Sequence, residues 1–298
     1  MSRVWVFPFL VSVVSLLACF GGGDDPSVVK PAMDQFAAGD LPGAATTLDG
    51  LAAKHADSTA VLEARAYSML LQGQYESADE MLEKAEATAG ENVGKVKLRR
   101  ALVALKAKDL DGVREHGQQS GLPAGALLAA EVLMADAEND EAMELLRTAR
   151  EGSGEVAATA NQYLTMLTSD DPSWRGIAEA TALWALGERS VACEAVEEAA
   201  KSLPDDAEDK NEILLVWAGR AVTSGAPGVA IGLLDVMEFP PEGQAWRVQA
   251  PRALVAIADG EGARGLAIFN SLAEGGAPAD GLADARATAI GLTDDPEL

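Results

Sequence analysis

From Ser27 onward, apolar residues recur three and four apart in short segments, and no segment alternates at the two-residue period of a strand. Such spacing puts the apolar side chains on one face of a helix, so the pattern predicts an all-α chain. Glycine, aspartate, asparagine and proline punctuate the segments. Turns are expected at Gly39-Asp40, Gly73-Gln74, Lys108-Asp109, Glu138-Asn139, Gly187-Glu188, Ser224-Gly225 and Asp259-Gly260. The sharpest segment runs from Gly73-Gln74-Tyr75-Glu76-Ser77-Ala78 to Met81-Leu82 and Ala85: a polar turn, then a helix with a narrow apolar stripe.

This segment resembles the turn and second helix of a tetratricopeptide repeat (TPR), a helical hairpin of about 34 residues. Carried along the chain, the register demands a small residue on each helix of every hairpin, where the two backbones approach. Ala32, Ala66, Ala101, Ala130, Ala180, Ala218 and Ala253 fill the first-helix place. Ala44, Ala78, Val113, Ala142, Ala192, Ala230 and Gly265 fill the second, and only Val113 is larger than a methyl. A bulkier side chain there would hold the helices apart and leave a void. The resemblance implies a TPR-like α-solenoid of about seven hairpins. It is strongest in the second and sixth repeats, the sixth having Pro204 at the expected terminal place, and weakest in the third, where Gly117 interrupts the second helix.

The interval from Ala142 to Ala192 is longer than one repeat, and Glu155 to Thr168 supplies the extra helix. Gly152-Ser153-Gly154 and Ser169-Asp170-Asp171-Pro172 bound it, marking a joint. The body therefore divides into hairpins over 28–152, the extra helix and joint over 153–171, and further hairpins over 172–298, with a C-terminal capping helix from Pro278 to Leu292.

The N-terminus follows another pattern. Arg3 precedes an apolar stretch from Val4 to Ala18, too short for a membrane span and of the length of a secretory signal. Leu16-Leu17-Ala18-Cys19 resembles the lipobox of bacterial lipoproteins. The resemblance implies a signal peptide over 1–18 and acyl chains, palmitate among them, on Cys19. Each buried methylene adds about 0.8 kcal/mol to anchoring. Residues 19–27 then form a lipidated, glycine-rich tether. Phe20 stands where an aspartate retains similar lipoproteins at the inner membrane, which by analogy implies the outer membrane, facing the periplasm.

Charge narrows the partners. With 47 acidic against 23 basic residues, the field of the chain repels nucleic acid and anionic lipid, so its one expected membrane contact is the lipid on Cys19. The sequence points to no cofactor or metal. Gly260-Glu261-Gly262-Ala263-Arg264-Gly265 has the letters of a dinucleotide fingerprint, but the preceding segment, Pro251 to Ala258, reads as a helix where that loop needs a strand. Cys193 adjoins the packing residue Ala192, far from His55 and His116, and reads as buried filler. Neither histidine has a second ligand at metal spacing, and carboxylate pairs such as Asp205-Asp206 are too common to single out an acid and base.

Binding features are more distinct. Lys95, Lys97, Arg99, Arg100, Lys106 and Lys108 share a stretch without a single acid, and on a helix Lys95, Arg99 and Lys106 fall along one side. In TPR domains that grip a C-terminal carboxylate, a lysine and an arginine occupy the places of Lys95 and Arg99, which line the concave groove. The remaining clamp places hold Val29, Met33 and Ala64, none of which donates to a carboxylate. The alternative is a basic face balancing acids such as Glu80 and Glu83. Trp184 and Trp217 read as core, whereas Trp246, between Gln244 and Arg247, reads as a surface anchor. The resulting expectation is a non-enzymatic, membrane-anchored adaptor of the bacterial envelope that binds proteins or peptides. The rivals are an envelope enzyme, such as a peptidoglycan hydrolase, and a structural subunit of an envelope assembly machine.

Overall fold

Alanine- and leucine-rich segments fold as helices, five of which, among the described residues, open with a proline in their first two positions and three with a capping aspartate. A computed structural model describes residues 27–203, 210–237 and 245–293. Over these residues the protein is all-helical and contains no strand. The expected signal peptide, Cys19, Phe20, Pro204, the Asp205-Asp206 pair and Gln244 lie outside the described residues. The chain forms two compact units that divide between Leu167 and Thr168.

The first unit contains α1 (Lys30–Ala37), α2 (Leu41–Ala52), α3 (Thr59–Leu71), α4 (Tyr75–Thr88), α5 (Val93–Ala107), α6 (Leu110–Gln119), α7 (Pro123–Ala135), α8 (Asn139–Arg150) and α9 (Gly154–Leu167). Each helix packs on the next in sequence, α5 also packs on α7, and α7 on α9. The helix expected over Glu155 to Thr168 is α9, which packs on both helices of the pair before it and so continues the same order.

Four turns close the α1–α2, α3–α4, α5–α6 and α7–α8 pairs in one way. A residue with positive φ ends the first helix, and the next amide donates to the carbonyl five residues back, satisfying a group the helix end leaves open. Gly39, Gly73, Lys108 and Ala137 take the left-handed position. The bonds run from Asp40 to Gln35, Gln74 to Met69, Asp109 to Ala104 and Glu138 to Leu133, at 2.8–2.9 Å. The side chains of Asp40 and Asp109 then cap the second helix by accepting from the Gly43 and Gly112 amides.

The small places lie inside. Ala32, Ala44, Ala66, Ala78, Ala101, Val113, Ala130 and Ala142 are all buried, so Val113 fits where the other hairpins use a methyl or less. Gly117, the apparent weakness of the third repeat, has a packing role. A Cβ at Gly117 would lie 2.7 Å from the carbonyl oxygen of Gly125, so α6 and α7 meet almost backbone to backbone.

The second unit contains α10 (Pro172–Ala185), α11 (Arg189–Lys201), α12 (Lys210–Thr223), α13 (Pro227–Asp235), α14 (Ala245–Ala258), α15 (Gly262–Glu274) and α16 (Ala279–Thr293). Successive helices pack on each other, and α11 with α13, α12 with α14, and α14 with α16 add contacts one helix apart. Gly187, Gly225 and Gly260 hold the positive φ, and Glu188, Ala226 and Glu261 donate to Leu183, Ala221 and Ala256 at 2.8–2.9 Å. Ala180, Ala192, Ala218, Ala230 and Ala253 have no exposed surface. Gly265 is buried too, and a Cβ there would stand 2.4 Å from Ile257 Cγ1 and 2.7 Å from the Ala253 carbonyl oxygen. That makes it a packing glycine. One boundary departs from expectation: α14 begins at Ala245 and carries Pro251 inside it. A proline normally opens a helix because it lacks an amide, which is why the sequence alone suggests a later start.

Candidate binding surface

The basic residues of α5 are the candidate cluster, and the structure distributes them among neighbouring helices. Arg100 sets a two-pronged guanidinium on both oxygens of Asp79 at 2.8 Å and reaches Glu86 at 3.1 Å, tying α5 to α4. Lys97 bonds Gln119 Oε1 on α6 at 3.0 Å and pairs with Glu86 at 3.3 Å. Arg99, expected to line an open groove, is buried and ion-paired with Glu63 on α3. An arginine that can reach a buried carboxylate stays with it, because leaving that charge unpaired is costly. Three of the six basic residues, Lys97, Arg99 and Arg100, therefore offset acids of the protein itself; the acids are Glu63, Asp79 and Glu86, not Glu80 or Glu83.

Lys95 and Lys106 stay exposed along one side of α5. Lys95 still acts on the pair beneath it. Burial pushes the Glu63 carboxyl up to about 7, while the charges of Arg99 and then Lys95 draw it back down. Of the other clamp places, Val29 and Ala64 are buried and Met33 is half-buried.

A second buried acid carries no mark in any motif. Glu131 on α7 is 5% exposed and accepts from the Tyr163 hydroxyl on α9 at 3.2 Å. Burial pushes its carboxyl up to about 8, against the lowering effect of the Tyr163 hydrogen bond. A signal did exist: Glu131 is the sole polar side chain between Pro123 and Ala135, and an isolated acid in an apolar helix needs a buried partner. Glu63 is similar, set among Ala60, Val61, Leu62 and Ala64.

In the second unit Trp217 is fully buried and meets the half-buried Trp184 edge to face at 5.7 Å. The Arg220 guanidinium lies over both rings, 4.7 Å from Trp217 and 5.1 Å from Trp184. Trp246 is half-buried in the first turn of α14, next to Arg247, which grips both oxygens of Glu212 on α12. Cys193 has no exposed surface, and burial raises its thiol pKa, which makes it a poor nucleophile. His55 is exposed on the first unit, and His116 is half-buried on α6. Among the described residues no three His, Cys, Asp or Glu side chains converge to hold a metal, and no helix is long and apolar enough to cross a membrane.

No protein-family model matches the chain, and no curated protein matches it in sequence.

Proposed function

We propose that this protein is a non-catalytic adaptor of the bacterial cell envelope, anchored through lipid on Cys19 and binding envelope proteins or peptides on TPR-like hairpins. The observation that carries this reading is the recurrence of one hairpin device. A left-handed turn, an amide bond five residues back and a buried small residue on each helix recur seven times in chain order. Stacked hairpins of that kind, an α-solenoid within each unit, offer extended and repetitive surfaces suited to gripping another chain.

Two further points support an adaptor over an envelope hydrolase. Among the described residues, the two carboxyls with strongly raised pKa are closed off, Glu63 by Arg99 and Glu131 by Tyr163, so a substrate does not reach them. The single thiol among the described residues is buried as well. The lipid would confine the body to the periplasmic face of the outer membrane, raising its effective concentration toward other envelope proteins. Lys95, Lys106 and Trp246 are the side chains we assign to partner contact in this reading.

Crosslinking in intact cells tests it. The wild-type protein is expected to capture discrete envelope proteins, and Cys19→Ser to leave the membrane fraction and capture fewer of them. A Cys19→Ser variant processed and membrane-bound like the wild type would refute the anchor. Absence of any captured protein from the wild type would refute the adaptor.

A further inference from the structure

In a chain of formal charge −24, exposed helix faces are expected to carry charge, and most second helices do. α4 presents Glu76, Glu80 and Glu83 to solvent, and α8 presents Asp140, Glu141 and Glu144. α13 departs from this. From Pro227 to Leu234 it has no polar side chain, yet Gly228 and Ile231 are exposed, Ile231 by 42%. A helix that is apolar all round is normally covered.

Beside Ile231 a cleft of about 320 Å³ opens between α13, α14 and α15. Val255 and Ala256 of α14, both buried, form its floor, and Ile231 and Ile268 stand as apolar walls. The rim is charged. Arg252 pairs with Asp235 at 2.9 Å and Arg264 with Glu261 at 2.7 Å, while Asp259 adds a third carboxylate, so the balance around the opening is negative.

That combination selects its occupant. A second copy of this chain would bring the same negative rim and the same acidic surface, and like charges oppose the contact. An anionic lipid surface is repelled for the same reason. A segment with aliphatic side chains for the walls and lysine or arginine beside them for the rim satisfies both features. We infer that the α13–α14–α15 cleft is a docking site for a partner segment presenting an aliphatic side chain flanked by basic residues. This deepens the adaptor reading and rests on it, since it supplies the surface and the chemistry of the partner.

Fluorescence anisotropy on the intact protein tests the site, with a labelled amphipathic leucine–lysine peptide as probe and its leucine–glutamate counterpart as control. Ile231→Ser and Ile268→Ser leave net charge unchanged and are expected to weaken binding of the lysine peptide by roughly tenfold each. Leu71→Ser, which alters an exposed leucine of the first unit, is expected to leave binding unchanged, and the glutamate peptide is expected not to bind. Circular dichroism verifies that each variant is folded. If the lysine peptide binds Ile231→Ser as tightly as wild type, general charge attraction holds it and the docking site is overturned. The two readings fail separately: the site can fall while envelope proteins are still captured in cells, and capture can fail while peptide binding still depends on Ile231.

Discussion

Glu131 sits in a place where an ionised carboxylate is poorly tolerated, and this has a measurable consequence. Its carboxyl titrates near 8 in the folded protein against an ordinary value of 4.5, so between those limits the folded state holds a proton that the unfolded chain has lost. The stability this contributes is complete below about pH 4.5 and is lost as pH rises through about 8. Glu63, raised to about 7, acts in the same direction. Urea unfolding followed from pH 5 to pH 9 is therefore expected to show stability falling with pH, and Glu131→Gln to flatten part of that slope. A slope unchanged in Glu131→Gln would contradict the assignment. At Ala137 the backbone takes φ 60°, a conformation costing about 1 kcal/mol for a side chain with a Cβ. Ala137→Gly, at an exposed turn, is expected to stabilise the protein by up to about 1 kcal/mol in the same assay. In six of the seven turns the residue pair marked by the sequence includes the left-handed residue. The sequence places the remaining one at Glu138-Asn139, one residue late, because an alanine there carries no signal of positive φ.

Helix pairs show which contacts local pattern can reveal. The fourteen small places were legible because packing of adjacent helices repeats at fixed spacing, and all fourteen are buried. Gly265→Val would push a side chain into Ile257 and the Ala253 carbonyl, with an expected loss of about 2 kcal/mol by thermal or chemical unfolding. The Glu63–Arg99 pair was not legible, because it joins first helices of successive hairpins, α3 and α5, and the small-residue register marks contacts within a hairpin, not ion pairs between hairpins. It also explains why the basic stretch of α5 resembles half of a carboxylate clamp while turning its arginine inward. Arg99→Met leaves the Glu63 carboxyl without its cation and is expected to cost about 3 kcal/mol. Adding Glu63→Gln is expected to recover much of that loss, and a double variant no better than the single would show that the pair is not coupled. Similarly, Pro251 suggests a helix start that α14 does not use; the turn before it carries Arg247, which is tied to Glu212 on α12.

For the molecule as a whole, the acidity, the signal-like N-terminus and the recurring hairpins are the grounds for the proposed reading, a tethered body that binds other chains. The α13 cleft belongs to this scale, since an exposed helix whose one charge is its last residue, Asp235, stands out only against the charge of the rest. All of it depends on the hairpins being equivalent structural units. Hydrogen–deuterium exchange on the intact protein measures this most directly, because amides protected by packed helix pairs open only when those pairs separate. The account predicts slow exchange around both small places of every hairpin, from Ala32 and Ala44 to Ala253 and Gly265, with fast exchange confined to turns and termini. Fast exchange across the packed helices of several hairpins, with protection limited to a few segments, would contradict it.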